Sequence, residues 1–199
     1  DEEDQLKEIT EALKNLNIDK KTYPSLAIEK ALGKKEIIAE DLGFLTDSVV
    51  KLVKKCGYPG MKILEFAFDS DSKNVYIPYN YDKNSIVYTG THDNDTVVGW
   101  FKSADKKTKQ RAKKFLGCKS DKDICWSLIK AAFASVSDTV IIPLQDYLEL
   151  GAEARINIPS TLGNNWDWRM KADVCSSELA DKIKDITEFY DRLGNFNNL

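Results

Sequence analysis

Apolar positions along this chain alternate between helical spacing and short continuous runs. Leu6, Ile9, Leu13 and Leu16 recur at a helical period over 4–16. Pro24 and Ser25 open a second short helix over 26–32, which Gly33 stops. EIIA at 36–39 reads as a short buried strand. Thr46 or Asp47 caps a helix with apolar positions Val49, Val50, Leu52 and Val53 that ends near Gly57. A second strand is expected over 61–68 (MKILEFAF), where sheet-favouring side chains dominate. An irregular aromatic loop around Pro78 leads to a third strand at 85–89. A helix from about Val97 to Leu116 is interrupted near Ser103, and Asp121 or Asp123 caps another reaching about Ser135. The fourth strand is 139–144 (TVIIPL), with Pro143 marking its end. After a long loop dense in Asn and Trp, Ser176 or Ser177 caps a last helix reaching about Leu193.

Short apolar strands separated by helices predict a parallel sheet with βαβ crossovers. In such folds the site lies beyond the carboxyl ends of the strands. Glu40, Asp69, Asp93 and the pair Gln145–Asp146 all follow a strand, on what would be one rim of a barrel. A closed barrel of this kind needs eight strands in ~250 residues, and the pattern here shows half that number. The expected fold class is therefore α/β, the C-terminal half (about strands 5 to 8) of a (β/α)₈ barrel. It would occupy 26–199, with an additional helical segment over 1–25. Such a half exposes sheet edges, so the chain is expected either to pair with a second copy or to be a marginal, aggregation-prone monomer.

Composition narrows the partners. Net charge is −3, which gives no electrostatic case for nucleic acid or an anionic membrane. The basic run from Lys102 to Lys114 reads as a solvated helix face. No apolar segment reaches the ~20 residues that span a bilayer, and the acidic start DEEDQLKE is unlike a secretory signal. Cys56, Cys118, Cys125 and Cys175 lack metal-site or disulfide-scaffold spacing, which fits reduced thiols and a cytoplasmic location. One histidine and scattered cysteines argue against zinc.

The chemistry concentrates in TGTHDNDT at 89–96, which holds the sole histidine, His92, beside Asp93 and Asp95. With Glu40–Asp41 upstream, two strand-end carboxylate clusters point to acid/base work on a polyhydroxylated substrate. Plainer readings stand beside this one. Glu40 and Asp41 would cap a turn, Asp93 and Asp95 would make Asx turns, His92 would be a structural hydrogen-bonding residue, and Trp166 and Trp168 would be core.

Several blocks in order carry a resemblance: IIAEDLG (37–43), GYPGMKILEFAF (57–68), YIPYNY (76–81), VYTGTHDNDT (87–96), IIPLQDYLELG (141–151) and EARINIPSTLGNNWDWR (153–169). Together they resemble amylomaltase, the 4-alpha-glucanotransferase family of the α-amylase clan. The resemblance implies a (β/α)₈ enzyme that cuts an α-1,4-glucan, holds the glycosyl group covalently and passes it to another sugar's 4-hydroxyl. It implies Glu40 as general acid/base, Asp93 as transition-state stabiliser and His92 gripping the sugar. Asp69, Asn157 and Trp166 join as substrate-binding residues, with maltodextrin as the partner and neither metal nor organic cofactor. Tyr79 stands where the family usually has histidine, and Glu65 where it usually has glutamine. The alternatives are a non-catalytic α-glucan-binding fragment and a hydrolase of the same clan.

The family nucleophile sits in an R-x-D-H motif, which this sequence does not contain. Covalent catalysis without its nucleophile should be nearly abolished. Incubated with maltotriose, the purified 199-residue chain is thus expected to yield no longer oligosaccharides on chromatography. Robust maltopentaose would demand a replacement nucleophile.

Overall fold

The structure, a computed structural model, describes residues 37–43 and 46–194. The helices expected over 4–16 and 26–32, the segment 1–25 and the start of the first strand at Glu36 lie outside the described residues. The chain divides into two compact units, 1–61 and 62–199. The described architecture is α/β with a small sheet.

In the first unit, helix α1 (Asp47–Cys56) starts after Thr46 at the N-cap position and stops at Gly57. Lys54 and Lys55 fill its last turn, where cations oppose the negative end of the helix dipole. The expected first strand contracts to one parallel bridge between Ala39 and Gly60, supported by Ala39 N–H donating to the Pro59 carbonyl at 2.9 Å. A Cβ at Gly60 would meet the Asp41 carboxylate, which would have to move. That carboxylate accepts the Met61 N–H at 2.7 Å.

Strand β1 (Gly60–Ile63) leads into the second unit, which adds β2 (Ser85–Tyr88) and β3 (Thr139–Ile141) in the sheet order β1-β2-β3. β2 and β3 run parallel, with Ile86, Val87 and Tyr88 facing Thr139, Val140 and Ile141. A parallel pair requires a long crossover, and three helices supply it: α2 (Val97–Ser103), α3 (Lys106–Leu116) and α4 (Ile124–Phe133). α4 buries Ile124, Cys125, Leu128, Ile129, Ala132 and Phe133, a helical repeat that touches α2, α3 and two later helices. Those are α5 (Leu144–Tyr147) and α6 (Ser177–Phe189). Fully burying a side chain such as Leu128 or Ile129 contributes roughly 1.5–3 kcal/mol.

Several boundaries differ from the sequence reading, each for a local reason. The expected strand 61–68 ends at Ile63, because Leu64–Phe66 close into a 3₁₀ turn. There Leu64, Ala67 and Phe68 bury at helical rather than alternating spacing. The strand expected over 139–144 ends at Ile141, since Pro143 starts α5. The break near Ser103 is present, and Asp105 caps α3 by accepting the N–H groups of Lys107 and Thr108. Of the lysine-rich face only Thr108 and Ala112 are buried, as a solvated helix requires. The cap before α4 is Ser120, paired reciprocally with Asp123. Ser176 caps α6, which stops at Phe189 rather than Leu193. Among the described residues no helix is long and apolar enough to cross a membrane.

Arg192, just past α6, clamps the chain between α4 and β3. Its guanidinium donates to the carbonyls of Phe133 at 2.8 Å, Ser135 at 2.6 Å and Ser137 at 2.8 Å. Hydrogen bonds from a charged donor are worth about 1.5–3 kcal/mol when well shielded, and this group is partly exposed. Arg192→Ala is expected to cost about 2 kcal/mol, read as a lower midpoint in chemical denaturation. An unchanged midpoint would mean that water replaces the guanidinium without loss.

Candidate functional site

The segment after β2 is built as a clamped loop. Thr89 is fully buried and donates its hydroxyl to Asp146 Oδ2 at 2.5 Å. The other oxygen, Asp146 Oδ1, accepts the N–H of Val97, the first residue of α2, at 2.9 Å. Between these anchors Thr91 donates its N–H and hydroxyl to Asn94 Oδ1 at 2.9 and 2.8 Å. Thr96 caps α2 by accepting the Gly99 N–H at 3.1 Å. The turn at 91–94 lifts His92 and Asp93 outward, each with a side chain about half exposed.

The long loop after α5 comes back over this turn. Asn157 N–H donates to the His92 carbonyl at 3.1 Å, and Asn157 Nδ2 donates to Asp93 Oδ1 at 2.6 Å. His92 Nε2 stands 3.3 Å from the same oxygen. The Trp166 ring lies 5.1 Å from the His92 ring at 34° and is 56% exposed, so it is a surface platform rather than core. Arg155 fastens the two loops, donating to the Asp93 carbonyl at 2.7 Å and the Asn157 carbonyl at 2.9 Å. A pocket of about 140 Å³ opens beside the turn, lined in part by Thr91, His92, Asp95, Gln145, Asp146 and Arg155.

Of the residues singled out from sequence, His92, Asp93, Asn157 and Trp166 therefore form one cluster. Asp69 belongs to another loop, where its Oδ1 accepts from Asn74 Nδ2 at 3.1 Å. Glu40 lies in the first unit and is exposed. Asp41 takes the backbone N–H instead and leaves Glu40 facing outward. Tyr79 is exposed and donates to the Ser72 carbonyl at 3.2 Å. Asp93 is not a bare turn-former, because its carboxylate is engaged by a residue 64 positions away.

Sequence reasoning missed the groups that hold the cluster. Arg155 has no local signal in the sequence, and that of Asp146 is only its position after a strand. Both Asp146 and Glu65 are buried acids, at 1% and 4% exposure. Burial pushes the Asp146 carboxyl above its ordinary range, and the hydrogen bonds from Thr89 and Val97 pull it back in part. Among the described residues no group of three or more potential ligands is arranged to hold a metal ion. Arg155→Met removes the guanidinium and keeps most of the stem. It is expected to raise hydrogen exchange at the Asn157 amide by about 10- to 100-fold, the equivalent of losing one or two kcal/mol-scale charged hydrogen bonds. Unchanged exchange would show that the two loops hold each other without Arg155.

This geometry has close parallels. The family model described as 4-alpha-glucanotransferase matches residues 6–175. A 4-alpha-glucanotransferase of Clostridium butyricum is 49% identical over 166 residues, covering 83% of this chain and 34% of that protein. A chloroplastic/amyloplastic 4-alpha-glucanotransferase of Arabidopsis thaliana is 46% identical over 170 residues, covering 84% and 30%. Amylomaltase from Streptococcus agalactiae in complex with acarbose superposes with a TM-score of 0.80 at 37% identity, over 84% of this chain and 34% of that one. The chain spans about a third of the length of the curated relatives it matches. On the extent of these matches, which run through the cluster of His92, Asp93 and Asn157, the chain belongs to the 4-alpha-glucanotransferase family.

Proposed function

We propose that this chain supplies the C-terminal half (about strands 5 to 8) of a (β/α)₈ glucanotransferase domain over 26–199. The whole enzyme would move a segment of an α-1,4-glucan to the 4-hydroxyl of another sugar with retention. The observation that carries this reading is the cluster on the turn after β2. There a half-exposed carboxylate, Asp93, is steadied by Asn157, beside an imidazole whose ring lies 5.1 Å from an exposed indole. A fixed anion suits the positive charge that develops on a sugar ring as its glycosidic bond breaks. The exposed face of Trp166 suits the apolar face of a glucose ring.

In this proposal Glu40 protonates the leaving oxygen and then activates the acceptor hydroxyl, as the family pattern implies. Asp93 stabilises the transition state, while His92, Asn157 and Trp166 hold the sugar. Asp69 contributes from the loop it shares with Asn74. That the Streptococcus agalactiae amylomaltase is described with acarbose bound supports a maltodextrin-like ligand here. The sheet edge at β3, where Ile141 is 40% exposed, is where a second copy or another part of the enzyme would pair.

The test uses the full-length enzyme that contains this sequence, with maltotriose as both donor and acceptor. Asp93→Asn keeps the side-chain shape and is expected to lower turnover about 10²- to 10³-fold, the scale of losing one preorganised electrostatic group. Trp166→Ala is expected to act mainly on KM. Normal turnover in the Asp93→Asn enzyme would remove the catalytic role. Glucose and maltose as the sole products of the unmodified enzyme would favour a hydrolase.

A further inference from the structure

Glu65 follows β1 in the Leu64–Phe66 turn, and its N–H donates to the Thr89 carbonyl at 3.1 Å. The residue is thereby fixed against the start of the clamped loop. Its carboxyl lies on the side of Gly90 where a side chain would project. A Cβ at Gly90 would stand 3.0 Å from Glu65 Oε1 and 3.2 Å from both Glu65 Cδ and Asn94 Cβ. A side chain at residue 90 would be a tight fit, and Glu65 or Asn94 would have to give way by a few tenths of an ångström. Glu65 Oε1 is buried and has no hydrogen-bond partner among the described residues.

The charged and titratable groups around Glu65 are Asp146, Asp95, Arg155 and the Cys125 thiol. Arg155 is no counter-ion of ordinary strength, because its described hydrogen bonds go to the carbonyls of Asp93 and Asn157. An ionised Glu65 would be a buried anion next to two other acids, and such an ion is costly unless it is paired. Burial first, then Asp146 and Asp95, hold its carboxyl well above the usual carboxylate range, with Arg155 opposing them.

We propose that Glu65 is a positioning residue that works as a neutral acid, filling the space against Gly90 so that the 89–96 loop presents His92 and Asp93, and that losing its proton loosens this loop. The consequence for sugar binding rests on the function proposed above; the consequence for the loop does not. A carboxyl with a folded pKa above its unfolded value binds more protons folded than unfolded, so stability falls as pH rises between those two values. The contribution is fully present below the ordinary carboxylate range and lost once pH passes the raised folded value.

Glu65→Gln keeps the shape and is neutral at every pH, so it separates packing from charge. The experiment is hydrogen exchange of the 89–96 amides in the full chain, corrected for intrinsic rates, from mildly acidic to alkaline pH. Protection in the unmodified chain is expected to fall about tenfold for each unit by which the Glu65 pKa is raised, and to stay level in Glu65→Gln. The same slope in both chains, or a Glu65 carboxyl carbon titrating in the ordinary range by NMR, would overturn the proposal. Glu65→Ala should lose protection at all pH values, and if it fails to fold the Glu65→Gln comparison decides alone. Maltotriose titrations followed by tryptophan fluorescence run in parallel. Loop protection behaving as expected with no maltotriose binding at any pH would sustain the Glu65 role and count against the sugar-binding reading.

Discussion

The buried carboxylate of Asp146 closes the 89–97 segment by holding both of its ends, the Thr89 hydroxyl at 2.5 Å and the Val97 N–H at 2.9 Å. A buried acid is unfavourable unless it is hydrogen-bonded, and here the compensation comes from an O–H donor and from a helix start, where N–H groups and the dipole favour negative charge. Asp146 is itself anchored from the core, since the Cys125 thiol of α4 donates to its carbonyl at 3.1 Å. A line of dependence therefore runs from the apolar face of α4 through Asp146 to the ends of the loop. With its ends held in this way, the loop presents His92 and Asp93 polar and half exposed at its tip.

Holding and display are also separated on the second loop. Arg155 could have neutralised Asp93 by pairing with its carboxylate, but its guanidinium takes the backbone carbonyls of Asp93 and Asn157 instead. The Asp93 carboxylate is left with an amide donor at 2.6 Å and an imidazole nitrogen at 3.3 Å. A neutral amide orients a carboxylate without cancelling its charge. That is the electrostatic condition that the role proposed for Asp93 requires.

Much of this was readable from the chain. The presence of strands beginning at Ser85 and Thr139, the interrupted helix at 97–116 and the capped last helix all follow from apolar spacing and punctuation residues. So did the identity of His92 and Asp93 as an unusual polar tip after a buried strand. Strand lengths did not, because MKILEFAF is apolar throughout and a continuous run carries no period to tell strand from turn. The partners of Asp93 were hidden for a different reason. Asn157 and Arg155 lie 64 and 62 positions away from it, and no local rule links residues at that separation. Glu65 stood out only as a departure from a family pattern; its burial is a tertiary fact that its neighbours Leu64 and Phe66 do not announce.

Trp166 adds an argument from backbone strain. Its φ of 66° places a bulky residue in the left-handed region, which costs an ordinary L-residue roughly 1–2 kcal/mol. The surroundings enforce it: Trp166 N–H donates to the Ile156 carbonyl at 2.7 Å, and Arg169 donates to the Trp166 carbonyl at 2.7 Å. Strain tolerated in a core would be offset by burial, yet this side chain is 56% exposed and sits 5.1 Å from the His92 ring. A loop satisfied by packing alone would put glycine or asparagine at such a φ and turn the indole inward. A large aromatic ring kept outward on a strained backbone, 5.1 Å from the His92 ring, is what the proposed role of Trp166 as a platform for an apolar sugar face calls for.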